Sequence, residues 1–318
     1  MAWWALRDIL ERHGIHHLLL NGGNGSMGSA ARLAEFERHT GYPLSVIGIP
    51  KTIDNDLLGT DFSPGFPSTA KYLATSMREV GLDMASLGQG RVFIMETMGR
   101  HTGWLAASCA AARQSADDAP HLVLVPEVPF DPRHFLAQLD ACLTRLGHCA
   151  IAVAEGLRGL DGKPVTELRH DDIYGHEQLG GAGTWLAQLI KRERGLTPHV
   201  AQVDCLQRAA RHWVSAVDVQ WAHAAGACAV EWAPGGEHGV MVAMQRADRD
   251  NDWRLTPVRL AEIGDKEYTL PPSFLDPQRL TVTPAFLAYL RPLLQGDLPL
   301  PVCADGLPDY RPVRWETL

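Results

Sequence analysis

The chain has 318 residues, 46% of them hydrophobic and 21% charged, enough for one large or two ordinary domains with a sizeable buried core. Its 29 basic and 37 acidic residues give a net charge of −8, spread along the chain, which argues against a nucleic-acid partner or an anionic membrane surface but not against a small anionic substrate. Six cysteines without CxxC pairs or metal spacing suit a reducing, cytoplasmic compartment, and no apolar run reaches the roughly 18 residues of a membrane helix.

In chain order, Trp3 to His13 carries apolar residues at helical spacing and stops at Gly14. Ile15 to Leu20 reads as a strand running into Asn21-Gly22-Gly23-Asn24-Gly25-Ser26, with a helix expected from Met27 to Arg38. Leu44 to Ile49 is a second strand, ending in the polar loop Pro50-Lys51-Thr52-Ile53-Asp54-Asn55-Asp56. Arg91 to Glu96 is a third, leading to Met98-Gly99-Arg100 and an Ala-rich helix from Trp104 to Arg113. Leu122 to Val125 stops at Pro126-Glu127, and Cys149 to Ala154 stops at Glu155-Gly156. Helical periods follow at Thr184 to Gly195 and Ser215 to Trp232, then a strand at Val240 to Gln245. Beyond Asp248 a loop-rich stretch precedes a helix at Pro284 to Leu294 and an extended tail. Five short apolar strands separated by helix-length segments predict βα units around mainly parallel sheets, with ligands beyond the carboxyl ends of the strands.

Those loops carry the chemistry. Gly22 to Ser26 offers unhindered backbone N–H groups and a helix N-terminus, suited to phosphate; a tight βα turn that needs glycine is the plainer explanation. Asp54 and Asp56, two apart in an extended loop, would point the same way. One could then accept a hydroxyl proton while the other helps hold a metal, unless the stretch is only an Asx-rich turn. Lys51 beside them can neutralise the acids or meet a phosphate. Arg100 is a phosphate ligand or the surface partner of Glu96 or Glu127. Glu155 is an acceptor for sugar hydroxyls or a helix cap. The histidines have no metal spacing across continuous structure, GxSxG is absent, no Lys completes a Walker A loop, and the aromatic residues form no stacking platform.

Taken in order, these segments resemble the phosphofructokinase family, which phosphorylates the 1-hydroxyl of fructose 6-phosphate in glycolysis. Gly22 to Ser26 matches its GGDGS or GGNDS loop, Pro50 to Asp56 its PKTIDND, Met98-Gly99-Arg100 its MGR, Glu155-Gly156 its EG turn, and Leu206-Gln207-Arg208 the end of its GYLQR segment. The stretches Gln207 to His212, Ser215 to Asp218 and Gly306 to Tyr310 are most similar to the bacterial pyrophosphate-dependent branch.

The resemblance implies a phosphofructokinase-like α/β fold of two Rossmann-like lobes with mainly parallel sheets. A donor-side lobe would comprise 1–66 with about 209–265, and a sugar-phosphate lobe 67–208 with the tail 266–318. It implies Asp54 as the base, with Lys51 and Thr52 also catalytic. Fructose 6-phosphate would be held by Thr52, Ile53, Asp54, Met98, Gly99, Arg100, Glu155, Cys205, Leu206, Gln207 and Arg208, with Arg91 reaching a neighbouring subunit's sugar phosphate. Gly22, Gly23, Asn24, Gly25, Ser26 and Lys51 would hold the donor, and Asn24 and Asp56 the Mg²⁺. A homodimer or homotetramer follows. Pyrophosphate is favoured over ATP, although Gly25 stands where the pyrophosphate branch has Asp. Asn24 replaces the metal-linked Asp of ATP-dependent members, and Asp204-Cys205 replaces the family's Gly-Tyr. The family's N-terminal donor-phosphate loop has no counterpart, so an N-terminally truncated, incomplete donor lobe is expected. The alternatives are an ATP-dependent 6-phosphofructokinase and a catalytically silent member that binds sugar phosphate as a regulatory or structural subunit.

Overall fold

A computed structural model describes residues 3–166, 169–171, 177–178, 180–247 and 252–310. Met1 and Ala2, with positions 311–318 of the expected tail, lie outside them. In chain order the elements are α1 (Trp3–Arg12), β1 (His17–Gly22), α2 (Asn24–Leu33), α3 (Phe36–Thr40), β2 (Ser45–Pro50), α4 (Phe66–Ser86), β3 (Arg91–Thr97), α5 (Trp104–Ser108), β4 (Leu122–Leu124), α6 (Pro132–Leu146) and β5 (His148–Ala154). There follow β6 (Arg169–Asp171), β7 (Glu177–Gln178), α7 (Ala182–Arg194), β8 (His199–Gln202), α8 (Leu206–Ala209), α9 (Ala216–Trp232), β9 (Val240–Arg246), β10 (Trp253–Arg259), α10 (Leu260–Ile263), β11 (Leu275–Asp276), β12 (Thr281–Val282) and α11 (Pro284–Leu290).

Two four-stranded sheets organise the chain. The first has the order β1-β2-β9-β10, with only β10 antiparallel. The second, β4-β5-β3-β8, is parallel throughout. Parallel strands covered on both faces read as unbroken apolar runs, and β5 shows why: Cys149, Ile151 and Val153 face one core cluster while Ala150, Ala152 and Ala154 face another. The second of these clusters also takes Ile47, Val242 and Met244 from the first sheet and Leu73 and Met77 from α4, so the two sheets share one core.

α4, 21 residues long, sits in that shared core with Phe66, Ala70, Leu73, Ala74 and Met77 turned inward at helical spacing. Its N-cap is Gly65, at φ 105°, and its first turn is capped from α9, where the Asp218 carboxylate accepts the N–H groups of Gly65 (2.9 Å) and Ser68 (3.1 Å).

Three helices differ from expectation. The helix expected from Met27 begins at Asn24 and is interrupted after Leu33. Gly23 is its N-cap, and the Gly23 carbonyl accepts from the N–H groups of Ser26 and Met27 at 3.0 Å each, so Asn24, Gly25 and Ser26 form its first turn and the loop proper is short. The helices expected at Trp104–Arg113 and Pro284–Leu294 are α-helical only to Ser108 and Leu290 and then tighten into 3₁₀ turns. The stretch after Asp248, expected as loops, contains β10, which pairs along its whole length with β9.

Candidate functional site

The loops meet because neighbouring parallel strands end together. On the second sheet Thr97 pairs with Ala154 and Glu96 with Gln202, so Met98-Gly99-Arg100, Glu155-Gly156 and the 204–208 segment leave the same edge side by side. On the first sheet Gly22 pairs with Pro50, so the Gly22–Gly23 turn and Lys51 lie together, with the Lys51 N–H donating to the Gly22 carbonyl at 3.0 Å. Thr102 Oγ1 donates to the Asp54 carbonyl at 3.4 Å and joins the two edges.

The 52–56 loop is not extended. Asn55 takes a positive φ of 54° and is buried, its Nδ2 donating to the Tyr289 hydroxyl and its Oδ1 accepting from the Ser63 N–H. This kink removes the two-residue alternation expected to align Asp54 with Asp56. The Asp56 carboxylate is instead held by Asn24, whose Nδ2 donates to Asp56 Oδ2 at 2.6 Å and to its carbonyl at 3.1 Å. Asn24 Oδ1 and Asp56 Oδ1 are both buried and unpartnered, two hard oxygen donors from neighbouring strand ends.

Asp54 is half-buried. Its N–H donates to Thr52 Oγ1 at 3.1 Å. Burial first, then the Asp56 charge, pushes its carboxyl up to about 6, against the opposing pull of Arg100 and the Thr52 hydroxyl. Burial also raises Asp56, where the Asn24 hydrogen bond opposes it. Glu155 is pushed up to about 7, again mainly by burial, although its Oε1 accepts the Gly99 N–H at 3.4 Å and Arg100 lies close. Arg100 pairs with neither Glu96 nor Glu127. Glu96 accepts from the N–H groups of Gly181 and Gly183, and Glu127 from those of Gly103 and Leu270.

Glycine is required at two places here. Gly99 has φ 135°, and a Cβ at Gly156 would lie 1.9 Å from the Arg100 carbonyl oxygen, so the two loops touch backbone to backbone. At Gly25, by contrast, a Cβ would meet nothing within 4 Å.

Gln207 is buried rather than presented to the cleft. Its Oε1 accepts the Met98 N–H at 3.3 Å, its Nε2 donates to the Asp204 carbonyl, and its own carbonyl accepts from Thr69 Oγ1. Cys205, Leu206 and Arg208 are exposed, with Arg208 Nη2 donating to Cys205 Sγ at 3.2 Å. Arg91 opens β3 at the far end of the sheet, seven residues or about 20 Å of strand from Met98, and is not brought to the cleft within one chain. Two residues that sequence reasoning missed border the acids: Glu267, facing Leu57 across an isolated bridge, and His101, whose Nδ1 contacts Glu267 Oε1 at 2.6 Å. Glu267 weighs electrostatically on both Asp54 and Asp56.

The phosphofructokinase family model matches residues 5–233. The chain is 41% identical over 309 residues to a pyrophosphate–fructose 6-phosphate 1-phosphotransferase of Xanthomonas campestris, covering 96% of this chain and 74% of that protein. A sulfofructose kinase of Alkalicoccus urumqiensis is 34% identical over 278 residues, covering 86% of this chain and 71% of that protein. The crystal structure of a pyrophosphate-dependent phosphofructokinase from Marinobacter aquaeolei superposes with a TM-score of 0.85 at 36% identity, covering 96% of this chain and 74% of that one. A loop edge built from two mainly parallel sheets, and sequence likeness over nearly its whole length, place this chain in the phosphofructokinase family.

Proposed function

We propose that the chain transfers a phosphoryl group from pyrophosphate to the 1-hydroxyl of fructose 6-phosphate, giving fructose 1,6-bisphosphate and phosphate. The observation that carries this reading is the convergence of Asp54, from the first sheet, with Arg100 and Glu155, from the second. A carboxyl near 6 is matched to taking a proton from a hydroxyl at neutral pH. The hydroxyl oxygen then attacks phosphorus, the bridging P–O bond breaks, and the leaving phosphate takes the electron pair.

Arg100 and Arg208 supply positive charge for the 6-phosphate, and Glu155 accepts a sugar hydroxyl. Met98 and Gly99 shape the floor, with Gln207 holding Met98 from behind. Thr52 orients Asp54 through their mutual hydrogen bonds, and Ile53 packs beside them. On the donor side the N–H groups of Asn24 and Gly25 lie in the first turn of α2, where a helix offers no internal partner, and Lys51 adds a cation. In this reading the first sheet serves the donor and the second the sugar phosphate. Mg²⁺ fits the orphaned Asn24 Oδ1 and Asp56 Oδ1, where it would offset charge on the donor phosphates. Arg91 serves a second copy's site, in a homodimer or homotetramer.

The test is an aldolase-coupled assay with fructose 6-phosphate, Mg²⁺ and pyrophosphate. Product formation that requires all three is expected. Binding of fructose 6-phosphate without turnover would instead establish the silent, sugar-binding subunit.

A further inference from the structure

At the opposite end of β5 from the cleft lies a second cluster. His121, just before β4, Cys142 in the last turns of α6 and Cys149 at the start of β5 place a ring nitrogen and two sulfurs within 4.8 Å of one another. Cys149 is six residues, or about 20 Å of strand, from Glu155, so the cluster is separate from the reacting groups. We propose that His121, Cys142 and Cys149 form a three-coordinate site for a soft monovalent cation, Cu⁺.

Ligand chemistry selects the metal. Two thiolates and an imidazole favour a soft ion over Mg²⁺ or Ca²⁺. Three donors complete a trigonal shell for Cu⁺, whereas tetrahedral Zn²⁺ needs a fourth. Charge selects the oxidation state. The Arg113 guanidinium lies close enough to act on both thiols, and its Nη2 is buried without a partner. Its other nitrogens are fixed, Nε on the Pro120 carbonyl and Nη1 on Thr281 Oγ1 at 2.7 Å. Binding releases two thiol protons; two thiolates, one monovalent cation and Arg113 then sum to zero, whereas a divalent ion would leave a buried positive charge.

The surroundings suit ligation. His121 Nε2 donates to the Asp117 carbonyl at 3.1 Å, the backbone anchor that fixes a ligating imidazole and directs Nδ1 as the donor atom. Nδ1 accepts the Ala150 N–H at 2.8 Å and gives up that contact to the metal. Without metal the Cys142 thiol donates to the His148 carbonyl at 3.3 Å and the two thiols hydrogen-bond each other, contacts that give way as binding releases their protons; Cys149 is fully buried. His121 is only half-buried and forms the entry rim.

The test uses protein whose accessible thiols Cys205, Cys228 and Cys303 are replaced by serine, titrated without oxygen with Cu⁺ held by bicinchoninate. One Cu⁺ per chain should be withdrawn from the coloured complex, with X-ray absorption showing two sulfurs and one nitrogen. Cys142→Ser and His121→Gln should each weaken retention at least tenfold; His121, at the rim, can be changed without opening the core. Absence of withdrawal, undiminished retention in both variants, or preferential one-to-one binding of Zn²⁺ would each overturn the proposal.

Discussion

Replacing Asp54 by asparagine should make the protein more stable and nearly inactive. Its carboxyl stands at about 6 in the fold against a usual 3.8, so the ionised form is disfavoured in the native state. Such a raised acid leaves no penalty below the unfolded value. The penalty grows as pH climbs from 3.8 toward 6 and is complete above it. The gap corresponds to about 3 kcal/mol at pH 8 and roughly half of that at pH 5. Asparagine keeps the shape and removes the charge, and it also relieves Asp56, so Asp54→Asn should gain stability of that order at pH 8, shrinking toward zero near pH 4. Urea unfolding of both proteins across this range measures the difference, and the aldolase-coupled assay should show kcat lower by about 10²- to 10⁴-fold. A gain that does not depend on pH, or a loss at pH 8, would refute the account of Asp54 as a base whose charge the fold disfavours.

Three further outcomes are expected. Gly25→Asp adds a carboxylate in open space at the first turn of α2 and should lower the ATP-to-pyrophosphate ratio of kcat/KM without loss of stability; an unchanged ratio would remove Gly25 from the donor pocket. With Glu155 pushed up to about 7, kcat/KM for fructose 6-phosphate should rise between pH 6 and 8 as the carboxylate forms. Glu155→Gln should erase that limb while leaving the one near 6, and persistence of the upper limb would assign it elsewhere. Gly156→Ala drives a methyl into the Arg100 carbonyl and should cost about 1–3 kcal/mol together with a raised KM for the sugar phosphate, read by thermal melts and steady-state kinetics.

What was legible in the sequence is what is local. A strand running into Pro50-Lys51 or Met98-Gly99 announces itself within ten residues, and parallel pairing then gathers such ends without further instruction. The first turn of α2 is hidden in the sequence because Asn24, Gly25 and Ser26 favour loops by composition, while the Gly23 carbonyl accepts the first helical hydrogen bonds. The bend at Asn55 depends on Tyr289, 234 residues away, and could not be seen from the Asp-Asn-Asp spelling. Glu267 and Asp218 are likewise set by distant segments: nothing around Glu267 marks it, and the matching stretch Ser215 to Asp218 does not say that its last residue caps a helix 150 residues earlier. Gln207 sits inside a matching segment, and only the fold shows that its side-chain amide is engaged by Met98 and Asp204.

The first sheet joins β2 to β9 through Ile47 and Val240, roughly 190 residues apart, and α4 waits on Asp218 for its cap. At synthesis rates of about 5–20 residues per second, β2 spends on the order of 10–40 s with an open apolar edge before its partner leaves the ribosome. The second sheet, whose last strand ends at Gln202, can assemble during that interval. The second sheet can thus be complete while the first still lacks a strand, and the stretch of the newborn chain left longest with an unpaired apolar edge is Val46 to Ile49.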